Sequence, residues 1–414
     1  MVSLDCRLTR VSRLAPVAVL VCAGLLAAGG ASGANSRTRA VAQTFTVNID
    51  AANKSANESF LSYFPSTVRV HAGDTVIFNE LGDGEPHTVT LGTLTDKVVA
   101  AFDKLTPKQQ QQAPPASFVR LDATVPSLLP RGPGDAIQSV ANPCFIDQGT
   151  PSTKGPCVKV AQPDFTGQQA YYNSGWLVSK DKFTVHLSSA TAPGTYRYMC
   201  ALHREGMTGK IVVAPSGTDV PSPSTQFAVG QHTLAASEAK LAPAVRAERQ
   251  GKPPIASLKV PGQNVVLAGS GSPAVNEASI DEFGPKLIKL PVGGSVTWYL
   301  LGGHTITFNA NKTENDIRST APDGSVHLNA KAISRANSPG EPPGTSSNGQ
   351  STGPITFKVV TATRWNGRGF HNSGLFLNSG PPRIEGYKIT FTRAGTYKYI
   401  CTVHDNMKGT VVVG

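Results

Sequence analysis

The feature that most limits what this chain can become is a repeat. The stretch YRYMCALHREGM, Tyr196 to Met207, returns as YKYICTVHDNM, Tyr397 to Met407, and both copies follow Gly-Thr. The likeness reaches far upstream. VHAGDTVIF from Val70 matches LPVGGSVTW from Leu290, and each is followed by a loop and then a histidine heading a strand, PHTVTLG from Pro86 and GHTITFN from Gly303. After a long insertion, YYNSGWL from Tyr171 matches FHNSGLF from Phe370. Blocks shared in one order, with no short period, describe two copies of one domain rather than a solenoid.

Each block is short, alternating, rich in Val, Thr, Tyr and Phe, and broken by Gly, Pro and Asn, so each reads as a strand. In FTVHL, Phe183, Val185 and Leu187 share one face and His186 faces the other way, toward solvent. Long helical periodicities are few, while Gly (41) and Pro (31) are plentiful among 414 residues, which favours an all-β chain. Several strands per copy, with no long helix between them, imply a sandwich of two sheets in each half. The expected layout is a signal segment over 1–34, a first domain over 41–214, a flexible linker over 215–254, and a second domain over 255–414. HTLAASEAKLAPAVRAERQ reads as a short helix inside the linker. The first insertion holds a helix around Asp96 to Leu105, with Val98, Phe102 and Leu105 on one side. The second, from Ala310 to Pro354, is rich in Ser, Asn, Gly and Pro and reads as a mobile loop.

The N-terminus reads as a secretion signal: Arg7, Arg10 and Arg13, an apolar run from Leu14 to Ala28, and small residues that suit cleavage after Ala34. The run is short for a membrane span. Val21 before Cys22 argues against a lipoprotein. The mature chain is expected to be exported, periplasmic or secreted, and not an integral membrane protein. The formal net charge of +11 falls to about +9 without this segment. No Lys/Arg run stands out, so the charge reads as ordinary solubility, with no nucleic-acid partner.

Of six cysteines, Cys6 and Cys22 leave with the signal. Cys144 and Cys157 share a Gly/Pro-rich loop and are expected to form a disulfide in an oxidising compartment, contributing on the order of 3 kcal/mol. Cys200 and Cys401 remain, one in each motif. Either they pair with each other or something occupies each. In each motif a soft thiolate, an imidazole and a thioether share one tight loop. Copper accepts a weak axial thioether beside two imidazoles and a thiolate. The second imidazole comes from His87 and His304, at matching places in the repeat. The candidate sets are His87, Cys200, His203 and Met207, and His304, Cys401, His404 and Met407. Zinc sites rarely use Met, and a Cys200–Cys401 disulfide would leave two His/Met sets unexplained. His71, His186, His232, His327 and His371 have no counterpart in the other copy and read as surface or loop residues. The Asn-Ser-Gly at Asn173 and at Asn372 reads as turn chemistry.

With its early His and its terminal Gly-Thr-Tyr-x-Tyr-x-Cys-x-x-His…Met-x-Gly, the chain resembles the cupredoxins, the type 1 (blue) copper proteins, of the plastocyanin, pseudoazurin and amicyanin kind. The resemblance covers most of both halves but not the insertions, the linker or the signal. It implies two Greek-key β-sandwiches, each with one type 1 copper that shuttles an electron. The second loop has the Cys-x2-His-x2-Met spacing of pseudoazurin and amicyanin; the first is one residue longer. Thr88 and Thr305 stand where many members have Asn, which leaves the hydrogen bond to the thiolate open. By the same analogy His203 and His404 lie nearest the surface, with Leu202 and Val403 forming an apolar docking patch for a redox protein partner.

Two such domains in one chain also resemble copper nitrite reductases and two-domain laccases. Those place a histidine beside the type 1 cysteine and use His-x-His pairs. Here Met199 and Ala201 flank Cys200, Ile400 and Thr402 flank Cys401, and no His-x-His occurs. The favoured reading is therefore an electron carrier and not an enzyme. The alternatives are an extracytoplasmic copper storage or delivery module and, more remotely, an oxidase or nitrite reductase relative.

Overall fold

The computed structural model describes residues 41–414 except 52–56, 83–85, 112–113, 126–162, 178–179, 251, 253–258, 273–274, 321–325, 334, 337–355, 363 and 377–382. The signal segment and the Cys144–Cys157 pair lie outside the described residues.

The alternating Val/Phe/Tyr pattern forms strands as expected, and each half builds two facing sheets. In the first half, one sheet runs Tyr63–Phe64, Thr44–Ile49, Thr75–Glu80, Lys182–His186. The other runs Thr67–Val70, Arg204–Val213, Gly194–Cys200, Thr90–Leu91, Tyr172–Asn173. Phe45, Val47, Val76, Phe78, Phe183, Val185 and Tyr198 fill the space between them, while His186 on the opposite face is exposed. The second half repeats this plan. Ser295–Leu300 stands for Thr75–Glu80, Gly395–Ile400 for Gly194–Cys200, and Lys408–Val413 for the end of Arg204–Val213. Trp298, Phe308, Tyr387, Ile389, Phe391 and Tyr399 form its core.

The register makes the halves comparable residue by residue. Ile49 pairs with Glu80 as Ala268 pairs with Leu300, and Leu81 and Leu301 donate to the Ile49 and Ala268 carbonyls. Asp50 and Gly269 are therefore equivalent positions, as are Glu80 and Leu300. Both Asp50 and Gly269 have positive φ, 57° and 69°.

Three features depart from the sequence reading. The segment 215–254 is no flexible linker over most of its length. Ser222 caps a helix spanning Pro223–Arg249, its side chain accepting from the Thr225 N–H, with proline at the first helical position. The helix buries Leu241 and Val245 in one cluster with Ala51, Phe60 and Phe64 of the first half and Ala278 and Ile280 of the second. Apolar surface shared with both halves overrides the low hydrophobicity of the segment. Second, Glu58–Phe60 leaves the first sandwich and pairs antiparallel with Val275–Gly284, extending the second half's sheet. Third, the described part of the second insertion is ordered. Arg318–Thr320 pairs with Val326–Leu328, Ala330–Ile333 is helical, and Ile317 N–H donates to the Thr402 carbonyl beside Cys401. The first insertion carries a helix over Thr93–Phe102, with Val98 and Val99 buried. Residues Ala42–Gly414 form one compact unit.

Candidate metal centres

The two histidines and the cysteine of each candidate set are brought together, and each group is assembled by the same local devices. The first histidine sits where a strand begins. His87 exchanges two backbone hydrogen bonds with Leu177, at 2.9 and 2.8 Å, and Phe376 N–H donates to the His304 carbonyl at 3.1 Å. Leu177 and Phe376 occupy the same offset after the repeated Asn-Ser-Gly, which does more than turn the chain. Asn173 and Asn372 accept from the glycine N–H two residues on. Ser174 and Ser373 accept from the N–H of Val89 and Ile306, two residues past each histidine, at 2.9 and 2.8 Å. Gly175 and Gly374 adopt φ of 71° and 76°, which their lack of a Cβ permits.

The cysteine ends the strand before the ligand loop. Cys200 Sγ lies 4.0 Å from His87 Nδ1. In the second half, Cys401 Sγ lies 3.9 Å from His304 Nδ1 and 3.6 Å from His404 Nδ1, and the two Nδ1 atoms are 3.2 Å apart. His87, Cys200 and His203 place their ligand atoms within 4.8 Å of one another, as do His304, Cys401 and His404. Met207 and Met407 are fully buried in the same apolar clusters as their cysteines.

The thiolate hydrogen bond left open by Thr88 and Thr305 comes from the backbone: each N–H donates to Sγ at 3.4 Å. The threonine hydroxyls accept from the residue after each cysteine, Ala201 at 2.8 Å and Thr402 at 2.9 Å, and so tie the two ligand-bearing segments together. Burial alone would raise both thiols. For Cys200, His203 and then His87 outweigh it by charge and hydrogen bonding and hold the thiol well below its usual range. For Cys401, His304 and His404 do the same. Both cysteines are free thiols, not a disulfide. A site that favours thiolate, with imidazole nitrogens around it and a buried methionine in the same loop, fits a soft or borderline metal ion.

The extra residue of the first loop is absorbed at Arg204, which adopts φ 54° at a break in strand register. Its guanidinium donates to the Asp122 carboxylate, the Asp122 carbonyl and the Val125 carbonyl, which anchors the loop to the first insertion.

The sites differ behind their histidines. Asp50 Oδ2 stands 3.3 Å from His87 Nε2, and Glu80 completes a fully buried group of three. Burial pushes the Glu80 carboxyl up to about 8; His87 opposes this and Asp50 adds to it. In the second half, Leu300 and Gly269 take these places, and a Cβ on Gly269 would lie 1.8 Å from His304 Nε2. There a carboxylate meets the other histidine instead: Asp281 Oδ1 lies 3.5 Å from His404 Nε2. Neither carboxylate was singled out in the sequence, since each faces its histidine only through strand pairing. His404 and Val403 are only 5% and 7% exposed, unlike the half-buried His203 and Leu202, so the expected surface patch is absent from the second site. His371 is likewise no surface residue. It is buried among Phe308, Trp365 and Tyr387, shares a 2.8 Å hydrogen bond with the Tyr387 hydroxyl, and is held near 4 by burial.

No family model and no curated protein matches the chain. Among solved structures, reduced auracyanin from the photosynthetic bacterium Roseiflexus castenholzii is similar at 19% identity, over 42% of this chain and 97% of that one, with a TM-score of 0.22. Auracyanin A, described as a blue copper protein of the green thermophilic bacterium Chloroflexus aurantiacus, is similar at 16% identity, over 41% and 97%, with a TM-score of 0.20. An oxidised amicyanin variant is similar at 18% identity, over 38% and 86%, with a TM-score of 0.19.

Proposed function

We propose that the mature chain is an exported one-electron carrier with one type 1 copper ion in each half. The observation that carries this is the repeated convergence of two imidazoles on a buried, thiolate-favouring cysteine, with a buried methionine in the same loop. His87, Cys200, His203 and Met207 would hold one ion, and His304, Cys401, His404 and Met407 the other. When bound, copper supplies the one-electron couple. The chain's own residues hold the donors still. The Thr88 and Thr305 hydroxyls lock the ligand loops, and Ser174 and Ser373 brace the histidine strands. A site that moves little on gaining an electron suits a carrier.

The flanks of both cysteines support a carrier over an oxidase or reductase, because no histidine stands beside either to wire it to a further metal. A redox protein partner is part of this reading. Among the described residues, no helix is long and apolar enough to cross a membrane.

Copper content and the visible spectrum after Cu(II) loading test the proposal. The expected result is two coppers per chain with an intense thiolate-to-copper band. Cys200→Ser or Cys401→Ser each removes one copper and its share of the band, and the double change abolishes it. Colour that survives the double change overturns the assignment. Copper lost to a chelator within minutes would favour storage or delivery; retention over hours favours the carrier.

A further inference from the structure

The two sites are not independent lodgings on one chain. The ligand histidine that should open the second site to a partner, His404, is only 5% exposed, and the Asp281 carboxylate against it is held in place by the first half. Ser59, on the strand Glu58–Phe60, donates through Oγ to Asp281 Oδ2 at 2.5 Å, and Asp281 Oδ1 lies against His404 Nε2. Asn57 Nδ2 donates to the Asn406 carbonyl at 2.9 Å, and Asp281 N–H donates to the Asn57 carbonyl at 2.7 Å, so Asn57 ties the ligand loop to the strand that carries Asp281.

That same strand reaches back to the first site. Phe60 N–H donates to Asp50 Oδ1, and Asp50 Oδ2 faces His87 Nε2. Asp50, Ser59, Phe60 and Asp281 are all buried. The outward nitrogen of one ligand histidine is thus joined to that of another, in the other half, by two carboxylates and one short piece of backbone. A single apolar cluster also runs from Met199 and Ala201, beside Cys200, into the core around Cys401 and Met407.

Building on the two-copper reading, we infer that the redox partner of the second site is the first half of the same chain. The strand Glu58–Phe60 is a built-in docking surface, and the path His87–Asp50–Phe60–Ser59–Asp281–His404 couples the sites. Outside proteins exchange electrons only at the half-buried His203 and Leu202. The step is a transfer of one electron from the reduced first site to the oxidised second site. No bond is made or broken and no proton is required; an external one-electron donor replenishes the first site, and the second site returns its electron along the same path to an external one-electron acceptor at the first. A bonded and hydrogen-bonded path favours this over a jump through the solvent boundary, because electronic coupling falls more steeply through space than through bonds.

The test is the loaded full chain reduced by hexaammineruthenium(II), followed at each site's own band, with Cys200→Ser and Cys401→Ser supplying the separate spectra. The expected result is that the second site bleaches in a phase whose rate stops rising with reductant concentration. In Cys200→Ser, whose second site keeps its copper and colour, bleaching of that site is at least tenfold slower. Bleaching at the wild-type rate in that variant overturns the inference. Should Cys200→Ser fail to fold, Asp281→Asn serves instead, with a several-fold slower internal phase expected and an unchanged phase overturning it. A second readout needs no copper. Diethyl pyrocarbonate should modify His203 in the metal-free chain and spare His404, with Ser59→Ala raising the rate at His404; labelling His404 as fast as His203 overturns the inference. The absence of both charge-transfer bands would instead refute the copper reading itself.

Discussion

At the scale of single residues, the two sites share their donors and differ in what stands behind them. The ligand histidines pack against a backbone position in the left-handed region, filled by Asp50 in one half and Gly269 in the other. Asp tolerates that conformation and places a carboxylate on His87 Nε2. Gly leaves room for His304, whose Nε2 has no hydrogen-bond partner among the described residues. Gly269→Ala puts a methyl into the imidazole and adds strain at φ 69°. The expected outcome is copper content falling from two to one per chain, with the first site's band retained and the second's lost.

At the scale of elements, the helix Pro223–Arg249 decides whether the halves act as one body. Its closest approach is at Gly230, where an added Cβ would lie 2.5 Å from Pro65 N and 2.6 Å from the Phe64 carbonyl carbon. Both are backbone atoms that cannot turn aside. Gly230→Ala is expected to destabilise the chain by about 1–3 kcal/mol despite alanine's better helix propensity, as a lower melting temperature will show. Near the other end, burial pushes the Glu248 carboxyl up to about 8, and the neighbouring Glu282 adds to it. A carboxyl raised in the folded state contributes stability that is full below the unfolded value of 4.5 and is lost as pH rises through 8. Chemical denaturation between pH 5 and pH 8.5 should show wild type losing up to about 4 kcal/mol relative to Glu248→Gln, which removes the titration.

At the scale of the whole molecule, the shared sheet, the helix and the common apolar cluster make separation of the halves costly. Removing Glu58–Phe60 from Val275–Gly284 would expose Phe60, Ala278 and Ile280 together with two ladder edges. Calorimetry of the metal-free chain is therefore expected to give one cooperative transition rather than two, with a van't Hoff enthalpy matching the calorimetric one. Two resolved transitions would mean that the junction contributes little.

The candidate donor sets were legible because their meaning is chemical and local. Cys200, His203 and Met207 lie within one loop, His87 follows from the repeat, and the same four types recur around Cys401. The sandwich class followed from strands whose period matches their burial, as with Phe183, Val185 and exposed His186. What stands behind the ligands was not legible. Asp50 and Asp281 are ordinary acidic residues until strand pairing turns one toward His87 and brings Ser59 onto the other across 222 residues of sequence. The helix over 223–249 was half visible, because its composition permits a helix but only two apolar surfaces to lie between dictate its length. Residue chemistry by itself determined the β-sandwich class and singled out two candidate soft-metal donor sets. Tertiary packing alone decided that one set keeps a histidine toward solvent while the other is closed by its neighbour, since exposure depends on which distant strand finds the open sheet edge.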